Sequence, residues 1–385
     1  MKVAVFDGET TITNKGAPYS RCNKLCYFGV YTNWDDSYYD FDIEYSDSPY
    51  GQHLTKIQQL LDEADVVVAF NAKFDIAWLR RYGVRINRRV FDCQLAEFVL
   101  SHQSKSYPSL QDTAVGYGLE GKLDVVATEY WANKIDTPDV PEEVLREYLK
   151  QDVIQTWLVY QKQLEALADK PMMHKLIRIQ CQDLLILQEI EQNGLLYDVQ
   201  TSIQEGDILK EELDAINLEL SNLSGFPLFN PGSGEHLSAL LYGGKIKYKA
   251  KGTYDFHHKD GRVSVKEKYM EFFHELPQLI KPLKGSELKK EGYYATDNST
   301  LRSLKCNAKG RSIITLVLRA AELDKLVGTY LHGLPEKIKE MDWEEGYIHG
   351  QLNQCVARTG RLSSSNPNLQ NFSKELNHLF KTRYV

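Results

Sequence analysis

At 385 residues, with 42% hydrophobic and 26% charged side chains, the chain is long enough for two or three domains, each with its own core. No apolar run is long enough to span a bilayer and Met1–Glu9 lack a signal-peptide pattern, so the expected compartment is the cytoplasm. The net charge of −7 is shared unevenly. Residues 1–170 hold 18 basic and 26 acidic side chains, residues 171–385 hold 28 and 27, an acidic half suited to cations before a remainder with locally basic stretches. Six scattered cysteines, without CxxC or a Cys/His cluster at zinc spacing, point to reduced, mostly buried thiols.

In chain order, KVAVFDGE, NKLCYFGVYT and SYYDFDIEY alternate as strands do, and DVVVAFN is the short apolar run of a buried central strand. Helical patterns cover 51–62, 73–82, 92–101 and 142–168, the last entered through Pro141 and two glutamates suited to a first turn. Three strands, then helix, strand and helix, predict a mixed α/β sheet. After residue 169 the texture changes to long helices at 172–193 and 198–223, divided by NGLLYDV, and 310–340 is helical again. Between them KIKYKAKGTYDFHHKDGRVSVKEKY predicts a hairpin turning at Asp260-Gly261, with Lys245, Lys247, Lys249 and Lys251 on one strand face. Residues 245–268 hold eight basic and three acidic side chains and 355–385 hold five and one, two patches able to neutralise phosphates.

Four carboxylates sit where chemistry would use them. Asp7 and Glu9, two apart at a strand end, share a face, and two like charges so close are tolerated when a divalent cation offsets them. Asp75 follows the buried central strand, and Asp152 lies one helical turn after Tyr148. An all-carboxylate set is hard oxygen, suited to Mg²⁺ or Mn²⁺.

Asp-x-Glu ending the first strand, Asn-x-x-x-Asp at 71–75 and Tyr-x-x-x-Asp at 148–152, in this order, resemble the three motifs of the DEDD proofreading exonucleases of the tyrosine subgroup. FDCQLAEFVL and SYPSLQDTA are similar to segments between its second and third motifs. The resemblance implies a ribonuclease H-like domain over 1–168 and two-metal 3′-5′ hydrolysis of DNA. On it, Asp7 bridges two Mg²⁺ or Mn²⁺ ions, Glu9 and Asp152 complete the first site, Asp75 serves the second, Tyr148 orients water, and Thr10 and Asn71 touch the terminal nucleotide. Gly8 stands where the family usually has a larger residue, and its side would face away from the metals.

From residue 175 onward LLILQEIEQNGLLYDV, FNPGSGEHLSALLYGG, GYYATDNSTLRSL, LRAAELDKLVGTYL and above all GQLNQCVARTGRLSSSNPNLQN resemble family A DNA polymerases, bacteriophage versions especially. This implies a helical connector and thumb with a basic hairpin at 169–340 and a truncated first palm segment at 341–385. Arg358, Arg361, Asn368, Gln370 and Asn371 become duplex contacts beside Lys245, Lys247 and Lys249. Phe372, Ser373 and Lys374 depart from the Ile-Pro and arginine that often follow in the family. The family's catalytic palm aspartates follow the TGRLSS stretch and are not in this sequence. The resulting expectation is a 3′-5′ DNA exonuclease joined to the duplex-binding part of a polymerase, with no polymerase activity of its own and a second polypeptide supplying the remaining palm and fingers. A DNA-binding subunit with a dormant exonuclease, or a stand-alone repair nuclease, are the alternatives; a virus-encoded protein would work in the host cytoplasm.

Overall fold

The computed structural model describes residues 1–121, 124–259 and 261–382, so Asp260 of the expected turn lies outside the described residues. The chain forms two compact units, Met1–Asp198 with Glu336–Val385, and Val199–Pro335. The segment resembling the palm therefore folds with the N-terminal unit.

In the first unit, β1 (Val3–Thr10), β2 (Leu25–Thr32) and β3 (Ser37–Asp42) run antiparallel, followed by α1 (Gly51–Glu63), β4 (Val66–Ala69) and α2 (Ala72–Arg81). A fifth strand that the alternation does not predict, β5 (Arg89–Asp92), pairs parallel to β4; four residues are too few for a periodicity to show. The sheet order is β3-β2-β1-β4-β5, a mixed sheet in a mixed α/β unit. Every residue of β4 is buried, as expected of a parallel strand covered on both faces. The helices α3 (Cys93–Leu100), α4 (Leu110–Gly116), α5 (Glu142–Leu167) and α6 (Pro171–Asn193) follow. The α5 helix starts after Pro141 with Glu142 and Glu143 in its first turn, where carboxylates complement the helix dipole.

Gly29 decides how α5 meets the sheet. A Cβ there would lie 3.1 Å from side-chain atoms of both Leu149 and Val153 and 3.0 Å from the Tyr38 hydroxyl, so only glycine lets the helix come this close. Since Gly29 pairs with Asp7, the helix is brought over the face of β1 that carries Asp7 and Glu9.

The short β6 (Leu195–Tyr197) closes the first stretch of this unit. The second unit holds α7 (Val199–Ser224), α8 (Gly234–Tyr242), a two-stranded ribbon of β7 (Gly244–His257) and β8 (Val263–Leu276), α9 (Asn298–Ser303) and α10 (Ala308–Lys325). Its core joins Leu213 and Leu220 of α7 to Leu240, Ile246, Leu276, Ile313 and Leu323. After α11 (Gly333–Glu340), β9 (Tyr347–Ile348) and the later β12 (Phe380–Lys381) pair on either side of β6, while β10 (Gln351–Asn353) pairs with β11 (Ser363–Ser365). Among the described residues no helix is long and apolar enough to cross a membrane.

Candidate functional site

Asp7, Glu9 and Asp152 converge: one carboxylate oxygen from each lies within 4.8 Å of the others. Glu9 and Asp152 are buried and Asp7 is half-buried. The first two come from alternate positions of β1, the third from α5 packed above that face. Burying three carboxylates together is costly unless a cation or protons offset them. An all-oxygen set within this reach fits a hard divalent cation.

Asp75, at the first turn of α2, lies outside that 4.8 Å group but beside it. Its carboxyl is raised well above the usual range, first by complete burial and then by the charges of Asp7 and Glu9. Gly8 bears on its position. A Cβ at Gly8 would lie 3.4 Å from Asp75 Oδ1 and closer still to Leu25 and Phe28. The glycine thus faces Asp75, and a larger residue there would crowd the packing beneath the carboxylate.

Tyr148 is buried one turn before Asp152, with Trp131 edge-on at 5.7 Å. Burial, and then Glu9 and Asp152, push its phenol far above the ordinary value. Thr10 follows the register shift of β1, and its carbonyl accepts from Thr137 Oγ1 at 2.6 Å. Asn71 is exposed and left-handed (φ 65°) immediately before α2.

Two residues of this unit escaped the reading of the sequence. Asp92, fully buried, accepts from the amides of Ala72 (2.8 Å), Gln94 (2.8 Å) and Leu95 (3.0 Å), so one carboxylate caps α3 and fixes the start of the helix that carries Asp75. Its carboxyl is raised to about 6 by burial, against the lowering effect of those amides. Its position immediately before a helical run was the available signal. Glu191, at the end of α6, is 6% exposed, pairs with Lys73 Nζ at 2.6 Å and accepts from Leu352 N at 2.6 Å. Lys73 also donates to the Leu352 carbonyl, so this pair seats β10. Nothing in the sequence links positions 73, 191 and 352.

Beyond β10, Arg358, Arg361, Asn368, Gln370 and Asn371 are all exposed. Asn368 Oδ1 accepts from Gln370 N, and Gln370 Nε2 donates to the Leu362 carbonyl.

In the ribbon, Lys245, Lys247, Lys249 and Lys251 do share one exposed face. The pairing places Glu275 opposite Lys245 and Glu271 opposite Lys249 on that face, and ion pairs join Lys247 to Glu271 (2.8 Å) and Lys251 to Glu267 (3.9 Å). A row that is strongly basic along one strand is nearly balanced across two. The opposite face carries Tyr254 and Phe256, under the ammonium groups of Lys268 and Lys266.

Residues 272–385 match the sequence profile of DNA polymerase family A. Over this stretch the chain is similar to the family A DNA polymerases. DNA polymerase I of Synechocystis sp. is 29% identical over 321 residues, covering 80% of this chain and 28% of that protein; the Bacillus subtilis enzyme is 26% identical over 315 residues, covering 82% and 30%. The chain thus spans less than a third of the length of these curated relatives. Among solved structures, the polymerase domain of Pol1 from M. smegmatis, in complex with DNA primer-template and dNTP, superposes with a TM-score of 0.67 at 19% identity, over 97% of this chain and 52% of that one. These findings correct the expectation of a 3′-5′ exonuclease without polymerase activity. The matched family is a polymerase family, and the relatives and the solved structure are polymerases by name, so the nuclease assignment and its dormant and stand-alone variants lose their support.

Proposed function

We propose that this chain binds primer-template DNA and serves template-directed DNA synthesis. The observation that carries the reading is the match of residues 272–385 to DNA polymerase family A, a stretch that includes TGRLSSSNPNLQN. On this reading residues 1–168 form a ribonuclease H-like domain, supported by the sheet order β3-β2-β1-β4-β5, residues 169–340 a connector and thumb, and residues 341–385 the first palm segment. Arg358, Arg361, Asn368, Gln370 and Asn371, exposed beyond the strand that Glu191 anchors, face the duplex, with Lys245, Lys247 and Lys249 as weaker, charge-balanced contacts. Asp7, Glu9 and Asp152 hold a divalent cation, Mg²⁺ or Mn²⁺, and Asp75 assists a second; such ions offset the buried carboxylates and give a DNA phosphate a positive partner.

The test is binding of a fluorescent primer-template duplex at increasing salt. Saturable binding that weakens as salt rises is expected. Affinity weaker than about 100 µM at physiological salt, the weak end of non-specific binding, overturns the reading.

A further inference from the structure

A cavity of about 410 Å³ lies in the first unit where β4 and β5 begin. Both strands run parallel to β1, whose far end carries Glu9, so the cavity sits at the opposite end of the sheet from the carboxylate group. No acidic residue lines it.

Its floor is apolar. Val66, Val90, Phe91, Leu164 and Ile177 line it, and Phe91 meets the Tyr160 ring edge-on with centroids 4.9 Å apart. Its rim is cationic. Arg89 opens β5, and Lys175 and Arg178 stand one turn apart on α6, all three exposed. Among the described residues no ion pair joins any of the three to a carboxylate. Burial pushes the Tyr160 phenol up to about 12 and the Arg89 charge counters it, so that guanidinium is within electrostatic reach of the floor.

Three uncommitted cations around an apolar floor fit a ligand with several separated anionic groups and one apolar group. Nucleic acid meets the first need and not the second, because the polar edges of a base would lie unpaired against Val, Leu, Ile and Phe side chains. A polypeptide with carboxylates on either side of an aromatic residue meets both. A phenyl ring has no polar atom to satisfy, and a guanidinium pairs with a carboxylate through two parallel bonds.

We infer that this cavity docks an acidic segment of a partner protein, with an aromatic side chain on the floor and carboxylates on Arg89, Lys175 and Arg178. The inference goes beyond DNA binding and does not depend on it. The test is fluorescence anisotropy of the full chain with a labelled pentapeptide, one phenylalanine between two pairs of aspartates. One saturable site is expected, weakened about tenfold when alanine replaces the phenylalanine, the scale of one ring returned to water, and several-fold by Arg89→Glu and by Arg178→Glu. Absence of saturable binding, unchanged affinity in both variants, or equal binding of the alanine peptide overturns the inference. Equal competition by N-acetylphenylalanine also overturns it, by reducing the site to a small-molecule pocket. So does tighter binding of an oligothymidylate of equal charge that the same variants weaken, which assigns the site to nucleic acid. Both arginines are exposed, and the melting temperatures of their variants check that the fold is kept. Primer-template affinity measured on the same samples separates failure of this site from failure of duplex binding.

Discussion

The carboxylate group around Asp7 and the lysine row of the ribbon are both runs of like charge at alternating strand positions, and the fold treats them in opposite ways. At Asp7 and Glu9 the third dimension adds more of the same charge, because α5 brings Asp152 over the strand and α2 sets Asp75 beside it. At Lys245–Lys251 it adds the opposite charge, because β8 lays Glu275, Glu271 and Glu267 across the row. A concentrated, buried charge needs an external counterion, whereas a balanced, exposed one does not. Charge patterning along one strand therefore specifies a site only once the partner strand or helix is known.

Three experiments break or sharpen this contrast. The largest effect is expected at a buried charge that the fold itself neutralises: Glu191→Ala leaves Lys73 without its carboxylate and β10 without its anchor. A loss of about 3–5 kcal/mol is expected in denaturant unfolding, the range for breaking a buried ion pair, with a smaller loss for Glu191→Gln. A cost below about 1 kcal/mol would mean that the pair behaves as a surface one.

Next comes the carboxylate group. Mg²⁺ or Mn²⁺ at a hundred times its dissociation constant should stabilise the parent chain by about 2.7 kcal/mol, read as a rise in melting temperature. Asp7→Asn should abolish most of that rise while leaving the metal-free protein no less stable, since it removes one of several repelling charges. An equal rise in parent and variant would place the cation elsewhere.

The smallest effect belongs to the ribbon. Because its lysines are already opposed by glutamates, Lys247→Glu with Lys249→Glu should change the slope of log affinity for duplex DNA against log salt by less than about two units, the value for two independent phosphate contacts. Glu271→Gln should strengthen duplex binding, by freeing the lysine it pairs with. A full two-unit loss of slope, with no effect of Glu271→Gln, would show that the lysines leave their glutamates for phosphate.

The longer helices and strands and the identity of the reactive groups were legible in the sequence. Periodicity places α1 at Gly51–Glu63 and α5 at Glu142–Leu167, close to the expected 51–62 and 142–168, because apolar spacing and first-turn acids act within one element. The Asp-x-Glu and Tyr-x-x-x-Asp spacings put each pair on one face for the same reason. Only the tertiary structure decided which of these faces meet. Gly29 admits α5 to the sheet, Asp92 ties the start of α2 to α3, and Glu191 joins Lys73 to Leu352 across 118 and 161 residues of chain. It also set glutamates against the lysine row and gathered Arg89, Lys175 and Arg178 around one cavity. The reason is range: dihedral preference and side-chain periodicity act over a few residues, whereas charge balance and burial depend on every element packed against a group.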